Sequence, residues 1–463
     1  MEKTRKFVNW ILDASINDFD EATVNYTKSL LLKTIAGMVA GAGEPIGKNL
    51  INYLSSIGGS PDATIIGGGF KSTVENAALA LGTFAHASEL EDDRFPGPIG
   101  DYWIFPAFFA LGEWLGSSGK EIIEATIVSW EADWRMAKTG PSWLMVERGI
   151  VTNAWFGVVA TAAGAARLLK LTPEQTINAM SLAASQASGL TCQLGWDAHF
   201  LESGNSCRAG ILSALLARAG ATGRPDFLEA PGGLYGPIWD LGKVNTNYLI
   251  EELGKPPYDI NNVWIKKYPS CYGTHMSLDA LMLLMREHGV KYDDVETVET
   301  EVDCYSGKGL NRPFPNNLGD ARFSLQYTLG EYVLRGTIGL DSFTDESKLS
   351  DPALKEAQSK VKITVPEGWG DPTKIISGDL FRYGAGIILH LKDGRILKKH
   401  LAVPIGHPSQ PLSYEEVREI CRPFIDDFIG KKKGNMIAKM TLKLNELPDI
   451  REMMNLLSIF EKK

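Results

Sequence analysis

The spacing of the apolar residues changes twice along this chain of 463 residues, and those two changes constrain the fold more than any single motif. Helical spacing, with apolar positions three and four apart, runs through 23–40, 74–89, 104–115, 120–139, 154–170, 172–188 and 206–220. Thr172-Pro173-Glu174-Gln175 sets a capping side chain before a proline at the first helical position, a strong start signal. Ala160, Ala163, Gly164 and Ala166 form a stripe of small residues, which predicts closely packed helices. After Asn261 the pattern becomes mixed. A helix expected over 277–288 precedes β-rich runs at 295–304, 361–365 and 386–391. The last of these passes through Lys392-Asp393-Gly394 into 395–400, and Asp-Gly between two such runs predicts a hairpin. From Ser413 the helical period returns. The expectation is a mainly α protein in which an α+β domain, 262–404, interrupts or caps a helical body made of 1–261 and 405–463.

Several classes are excluded on composition. Apolar residues make up 44% and charged residues 22%, an ordinary globular balance that rules out a disordered or collagen-like chain. Lys and Arg total 47 against 56 Asp and Glu, a net charge of −9 that lacks the basic footprint of a nucleic-acid or anionic-membrane binder. A small anionic substrate remains open, met by a few locally placed cations. Cys192, Cys207, Cys271, Cys304 and Cys421 are odd in number and without CxxC spacing, which fits neither a disulfide framework nor a structural zinc site. The apolar windows 103–115 and 154–169 are cut by Pro106 and Glu113 or carry Arg167, so no membrane span is expected. The first 21 residues read as an amphipathic helix with no cleavage site, and the expected location is the cytoplasm.

Four stretches carry the residue types that chemistry needs. In His86-Ala87-Ser88-Glu89-Leu90-Glu91-Asp92-Asp93-Arg94, carboxylates crowd together before Pro96-Gly97-Pro98; buried together they become candidates for proton transfer, whereas on the surface they are a solvated acidic helix end. Lys266-Lys267-Tyr268-Pro269-Ser270-Cys271-Tyr272-Gly273-Thr274-His275 gathers cations, a thiol and an imidazole just before a helix, where backbone N–H groups favour a carboxylate. The segment from Asp197 to Arg208 reads as a polar turn entering an Ala-rich helix; Arg208 could grip a substrate carboxylate or pair with Glu202. Arg322, in Asp320-Ala321-Arg322-Phe323, has the same choice between substrate and a surface ion pair. GxGxxG, GxxxxGK[ST], HExxH and GxSxG are all absent, and Cys and His never take metal-ligand spacing, so no cofactor and no metal is expected.

Taken in order, AALALGTFAHASELEDD, WEADWRMA, AAGAARLLKLTPEQTINAMSLAASQASG, GNSCRAGILSALLARAGATG, FLEAPGGLYG, KKYPSCYGTHMSLDA and DARFSLQYTLGEYVLRGTIGLDSFTDE resemble the MmgE/PrpD family, which includes 2-methylcitrate dehydratase, cis-aconitate decarboxylase and iminodisuccinate epimerase. The resemblance implies a large all-helical domain built from both ends of the chain, a smaller α+β lid between them, a homodimer, and metal-independent chemistry on di- or tricarboxylic acids. It places Lys266 on the family's lysine before Tyr-Pro, Glu89 on the first acid of its acidic motif, Asp92 on the acid near the motif's end and Asp93 where threonine is usual. Ile99 and Val151 stand at two usual histidine positions, His199 at a usual lysine, and Cys271 at a position that is histidine in the decarboxylase branch.

These assignments lead to a cofactor-independent lyase. Lys266 would stabilise developing negative charge; Asp92, Asp93 or His199 would move the proton; Glu89, Cys271, His275, Arg208 and Arg322 would bind substrate. Dehydration of the 2-methylcitrate dehydratase type is the leading expectation, with epimerisation, isomerisation or decarboxylation as alternatives. Ile99 and Val151 motivate a rival of another class, a catalytically altered carboxylate-binding protein.

Overall fold

The computed structural model describes residues 2–94, 99–141, 145, 148–369 and 384–460, and the chain within it divides into two compact units. One comprises Met1–Gln193, Asp197–Ile265 and Leu412–Lys463; the other comprises Leu194–Trp196 and Lys266–Pro411. Pro96, Gly97 and Pro98 and the side chain of Ile99 lie outside the described residues.

The first unit begins with α1 (Glu2–Asp13), α2 (Glu21–Ala42) and α3 (Pro45–Ile57). It continues through α4 (Val74–Ala87), α5 (Pro106–Leu115), α6 (Gly119–Lys138), α7 (Thr152–Leu168), α8 (Pro173–Ala184) and α9 (Asp197–Arg218). The starts follow local chemistry. Asp20 accepts the Thr23 N–H ahead of α2, Ser118 and Glu121 form a reciprocal capping pair ahead of α6, and Thr172 with Gln175 does the same ahead of α8. The body is not purely helical: Ala63–Thr64 (β1) pairs with Lys71–Ser72 (β2), and Asp93–Arg94 (β3) pairs with Ile99–Gly100 (β4), both antiparallel.

At its centre α4 is clasped by α2 and α9, while α9 also packs on α7 and α8. Glycines permit this. A Cβ on Gly41 of α2 would lie 1.7 Å from the Phe84 carbonyl oxygen, and one on Gly204 of α9 would lie 2.3 Å from the Leu79 carbonyl oxygen, so neither position admits a larger residue without moving backbone.

In the second unit α10 (His275–His288) leads into β5 (Val295–Glu301), followed by α11 (Leu325–Arg335), α12 (Pro352–Ser359), β6 (Val361–Thr364), β7 (Ala385–Leu391) and β8 (Ile396–Leu401). These four strands form one sheet in the order β6-β5-β7-β8. β5 runs parallel to β6, with Val298 opposite Val361, and antiparallel to β7, with Val298 opposite Leu389. The Asp-Gly hairpin forms as expected between β7 and β8. α10 packs on β7 and β8, and α11 packs on β6 and α12 over a core of Ala321, Tyr327, Phe343 and Leu354. The chain then returns to the first unit, where α13 (Tyr414–Leu442) packs along α2 and α14 (Arg451–Leu457) follows. The fold class is mainly α, as the apolar spacing indicated.

Candidate active site

The acidic run is an interior feature, and the solvated helix end is excluded: Glu89, Glu91 and Asp92 are buried and Asp93 is half-buried. The run divides three ways. After α4 ends, Glu89 adopts a left-handed φ of 52°, which costs a non-glycine residue on the order of 1 kcal/mol and turns the chain back toward the helix. Its carboxylate lies 3.9 Å from His86 Nε2, and one ligand atom from each of His86, Glu89 and Glu91 lies within 4.8 Å of the others. One imidazole nitrogen and two carboxylate oxygens at this spacing can pass a proton or ligate a divalent cation.

Asp92 faces another way. Its carboxylate sits 3.7 Å from Lys33 Nζ of α2, both groups fully enclosed, and its own N–H donates to Asp101 Oδ1 at 2.9 Å. Burial, and then the neighbouring Asp92 charge, holds the Asp101 carboxyl well above the usual carboxylate range. The apolar run Leu30-Leu31-Leu32-Lys33-Thr34-Ile35 carried a signal for this pair, a lone lysine where the helix is otherwise sealed. Asp93 is tied into strand: its N–H donates to the Trp264 carbonyl, and the Trp264 N–H donates to the Asp93 carbonyl at 2.7 Å. Beside it Arg94 grips Asp259 with Nε and Nη2 at 2.9–3.2 Å and stacks over Trp134.

α9 overturns one local expectation. Residues 197–205 are not a turn but the first part of the helix, because Phe200, Ser203 and Gly204 pack against α4 and that contact outweighs the weak helical preference of a polar sequence. The same packing brings His199 to His86, ring centroids 4.5 Å apart, with the Trp103 ring 4.8 Å and the Phe200 ring 5.5 Å from His86. His199 Nδ1 is 3.1 Å from Glu202 Oε2, and Glu202 Oε1 accepts the Leu190 N–H at 2.8 Å. The predicted residues Glu89 and His199 are thus gathered around His86, a residue that appeared in the quoted run without a role. Glu202 is committed to His199, not to Arg208. Arg208 lies nine residues after His199, about two and a half helical turns, which carries it to the opposite face of α9, where it is exposed. Val151, at a usual histidine position, is buried just before α7.

The remaining predicted residues belong to the second unit. Lys266 is 1% exposed. Lys267 and Tyr268 both bind Asp279, at 2.8 and 2.6 Å, and burial followed by that carboxylate pushes the Tyr268 hydroxyl upward. The Cys271 N–H donates to the Arg322 carbonyl at 2.8 Å, which joins the lysine loop to the Arg322 segment. His275 is buried and stacks on Tyr272 with ring centroids 5.0 Å apart, its Nε2 3.2 Å from the Ser270 carbonyl. Arg322 is no surface residue: it is 2% exposed, and its Nη2 lies 3.4 Å from the Phe343 carbonyl. Cys271, His275 and Arg322 are therefore drawn together through the loop that precedes α10 and its backbone bond to the Arg322 segment.

Comparison with known proteins adds an independent line. The MmgE/PrpD N-terminal domain model matches residues 5–244 and the corresponding C-terminal domain model matches residues 268–446. The chain is 24% identical to a cis-aconitate decarboxylase-like protein of Aspergillus oryzae, covering 98% of this chain and 97% of that one. It is 23% identical to cis-aconitate decarboxylase of Mus musculus, covering 98% and 93%. The cis-aconitate decarboxylase of Aspergillus terreus is 23% identical, with 98% and 96% covered. With both domain models matched in order over most of its length, the chain belongs to the MmgE/PrpD family.

Proposed function

We propose that this protein is a cofactor-independent lyase that breaks a bond next to a carboxylate of a small di- or tricarboxylic acid, acting as a homodimer. The observation that carries the reading is the buried group of His86, Glu89, Glu91 and His199, two imidazoles and two carboxylates shielded from water beside Trp103. Such a group can hold a proton and release it at one point in space, which is what bond cleavage next to a carboxylate needs.

Decarboxylation is the reaction to test first, since the relatives at 23–24% identity carry that activity in their names. In that reaction the C–CO2 bond breaks, CO2 leaves, and the electron pair left on carbon takes a proton from the imidazole group. Lys266, with Arg322, is assigned to the substrate's remaining carboxylates and the developing negative charge. His275 and Cys271 are assigned to the substrate's outer polar groups. Asp92, enclosed against Lys33, is assigned to holding the acidic run in place, and Asp93 to the strand at its end. Dehydration is the second reading: it starts by removing a proton next to a carboxylate, which the same buried bases support.

The test is a panel of saturated, unsaturated and hydroxylated di- and tricarboxylates in chelator-treated buffer and D2O, followed by proton NMR and CO2 release. Turnover of one member with CO2 release and deuterium at the vacated carbon is expected. His199→Gln and Lys266→Ala should each lower kcat by roughly 10²–10⁴. Water release without CO2 moves the assignment to dehydration, and deuterium exchange alone moves it to epimerisation. Binding without exchange or turnover sinks the lyase.

A further inference from the structure

The segment that carries Glu89 and Glu91 has no regular structure of its own: between the end of α4 at Ala87 and the start of β3 at Asp93, residues 88–92 lie in neither helix nor strand. Its anchor to α2 is Asp92. Lys33 and Asp92 are both sealed from water, with Nζ 3.7 Å from the carboxylate. Asp92 is in turn paired with Asp101, just outside the β3–β4 ladder: the Asp92 N–H donates to Asp101 Oδ1 at 2.9 Å, and the Asp101 N–H donates to the Asp92 carbonyl at 3.4 Å.

Asp101 opens the short turn Asp101–Trp103, and α2 meets that turn directly as well. The Tyr102 hydroxyl donates to the Lys33 carbonyl at 2.6 Å, and a Cβ on Gly37, one turn further along α2, would lie 2.5 Å from the Tyr102 ring. Two residues after Asp101, the Trp103 ring stands 4.8 Å from the His86 ring and 5.7 Å from that of His199. One turn of α2 is therefore tied both to the acidic run and to the indole that borders His86.

Stability does not account for a lysine at this place. Taking an ammonium and a carboxylate out of water costs about as much as their attraction returns, and well-packed uncharged side chains of similar volume are often as stable or more so. An apolar residue at 33 would simply extend the run Leu30-Leu31-Leu32. What the pair supplies is direction: a buried carboxylate turned away from its cation is left uncompensated, so Asp92 is held toward Lys33.

We propose that Lys33 is a positioning residue for the buried imidazole–carboxylate group: its ammonium fixes Asp92 and, through Asp92 and Asp101, the placement of Glu89, Glu91 and the Trp103 ring around His86. The effect on turnover rests on the lyase reading above, whereas the placement of the rings does not.

The experiment compares the intact protein with Lys33→Met, Asp92→Asn and the double variant Lys33→Met/Asp92→Asn. Each single change leaves one buried charge uncompensated and should lower the thermal midpoint. The double variant removes both charges and should match or exceed the parent in thermal unfolding, with the same far-ultraviolet circular dichroism. In that stable double variant, labelled at its histidine rings with carbon-13, the His86 and His199 resonances should nevertheless be displaced, each assigned by its loss in His86→Gln or His199→Gln. With the substrate found by the carboxylate panel, kcat should fall about tenfold or more while KM stays close to the parent's, the mark of misplaced reacting groups in a site that still binds. A double variant with both ring resonances unmoved, or with kcat retained, would overturn the proposal, as would one as unstable as the single variants, since the pair would then serve the fold itself. If no member of the panel turns over, the lyase reading fails separately and the rings still decide: displaced resonances sustain the positioning role, and unmoved ones end it.

Discussion

A carboxyl group sealed from water gives up its proton late, and Glu131 is such a group. Burial, and then the Asp259 charge, pushes its carboxyl up to about 7 from an ordinary 4.5, while its Oε1 accepts the Asp259 N–H. Nearby Asp133 is displaced in the same direction by burial, Asp259 and Asp93. The folded state thus favours the protonated acid. The stability this contributes is complete below the unfolded value near 4.5 and is lost as pH rises through about 7. That shift corresponds to about 3 kcal/mol for one group. Glu131→Gln keeps the acceptor for the Asp259 N–H and removes the ionisation, so it should flatten the fall in stability between pH 5 and pH 8 in urea unfolding. An unchanged pH slope would show that Glu131 titrates normally.

At the scale of elements, the distance between His86 and His199 is set by how closely α4 and α9 approach, and that approach rests on Gly82 and Gly204. A Cβ on Gly82 would meet Cys207 Sγ at 2.9 Å, and one on Gly204 would meet Thr83 Oγ1 at 2.1 Å. Gly204→Ala should therefore cost about 1–3 kcal/mol in thermal unfolding. It should also lower kcat at temperatures where the variant is fully folded, because the helices must part and take the two imidazoles with them. A stability loss with kcat intact would mean that the two rings tolerate separation. Here the limits of the sequence are visible. α4, α6, α8 and the Asp-Gly hairpin were legible from the helical period, the Thr172 cap and the turn chemistry. The first turns of α9 were not, because Asp197–Asn205 is polar and its helical state comes from packing on α4. The acidic run was legible as a site but not in its parts. Nothing in the order Glu89, Glu91, Asp92, Asp93 says that two turn to His86, one to Lys33 and one into strand; that depends on the left-handed turn at Glu89 and on a lysine 59 positions upstream of Asp92.

For the whole molecule, the interrupted apolar pattern and the ordered motifs made the mainly α class and the family legible, since both depend on long stretches where local errors average out. The helical unit is completed only by its last segment. α13 packs along α2, with Ile425 and Ile429 buried, and Cys421 is sealed well enough to push its thiol up to about 12. A chain ending at Pro411 should expose the apolar side of α2 and fail to give a cooperative thermal transition by circular dichroism. A normal melting curve from that truncation would show that α13 is dispensable. The same discontinuity has a consequence during synthesis. Between Ile265 and Leu412 the ribosome must make nearly all of the second unit, which at about 5–20 residues per second takes roughly 7–30 s. For that interval α2 waits without its partner, so the nascent chain should be a client of chaperones that hold exposed apolar helices, and the second unit has time to fold before the first one closes.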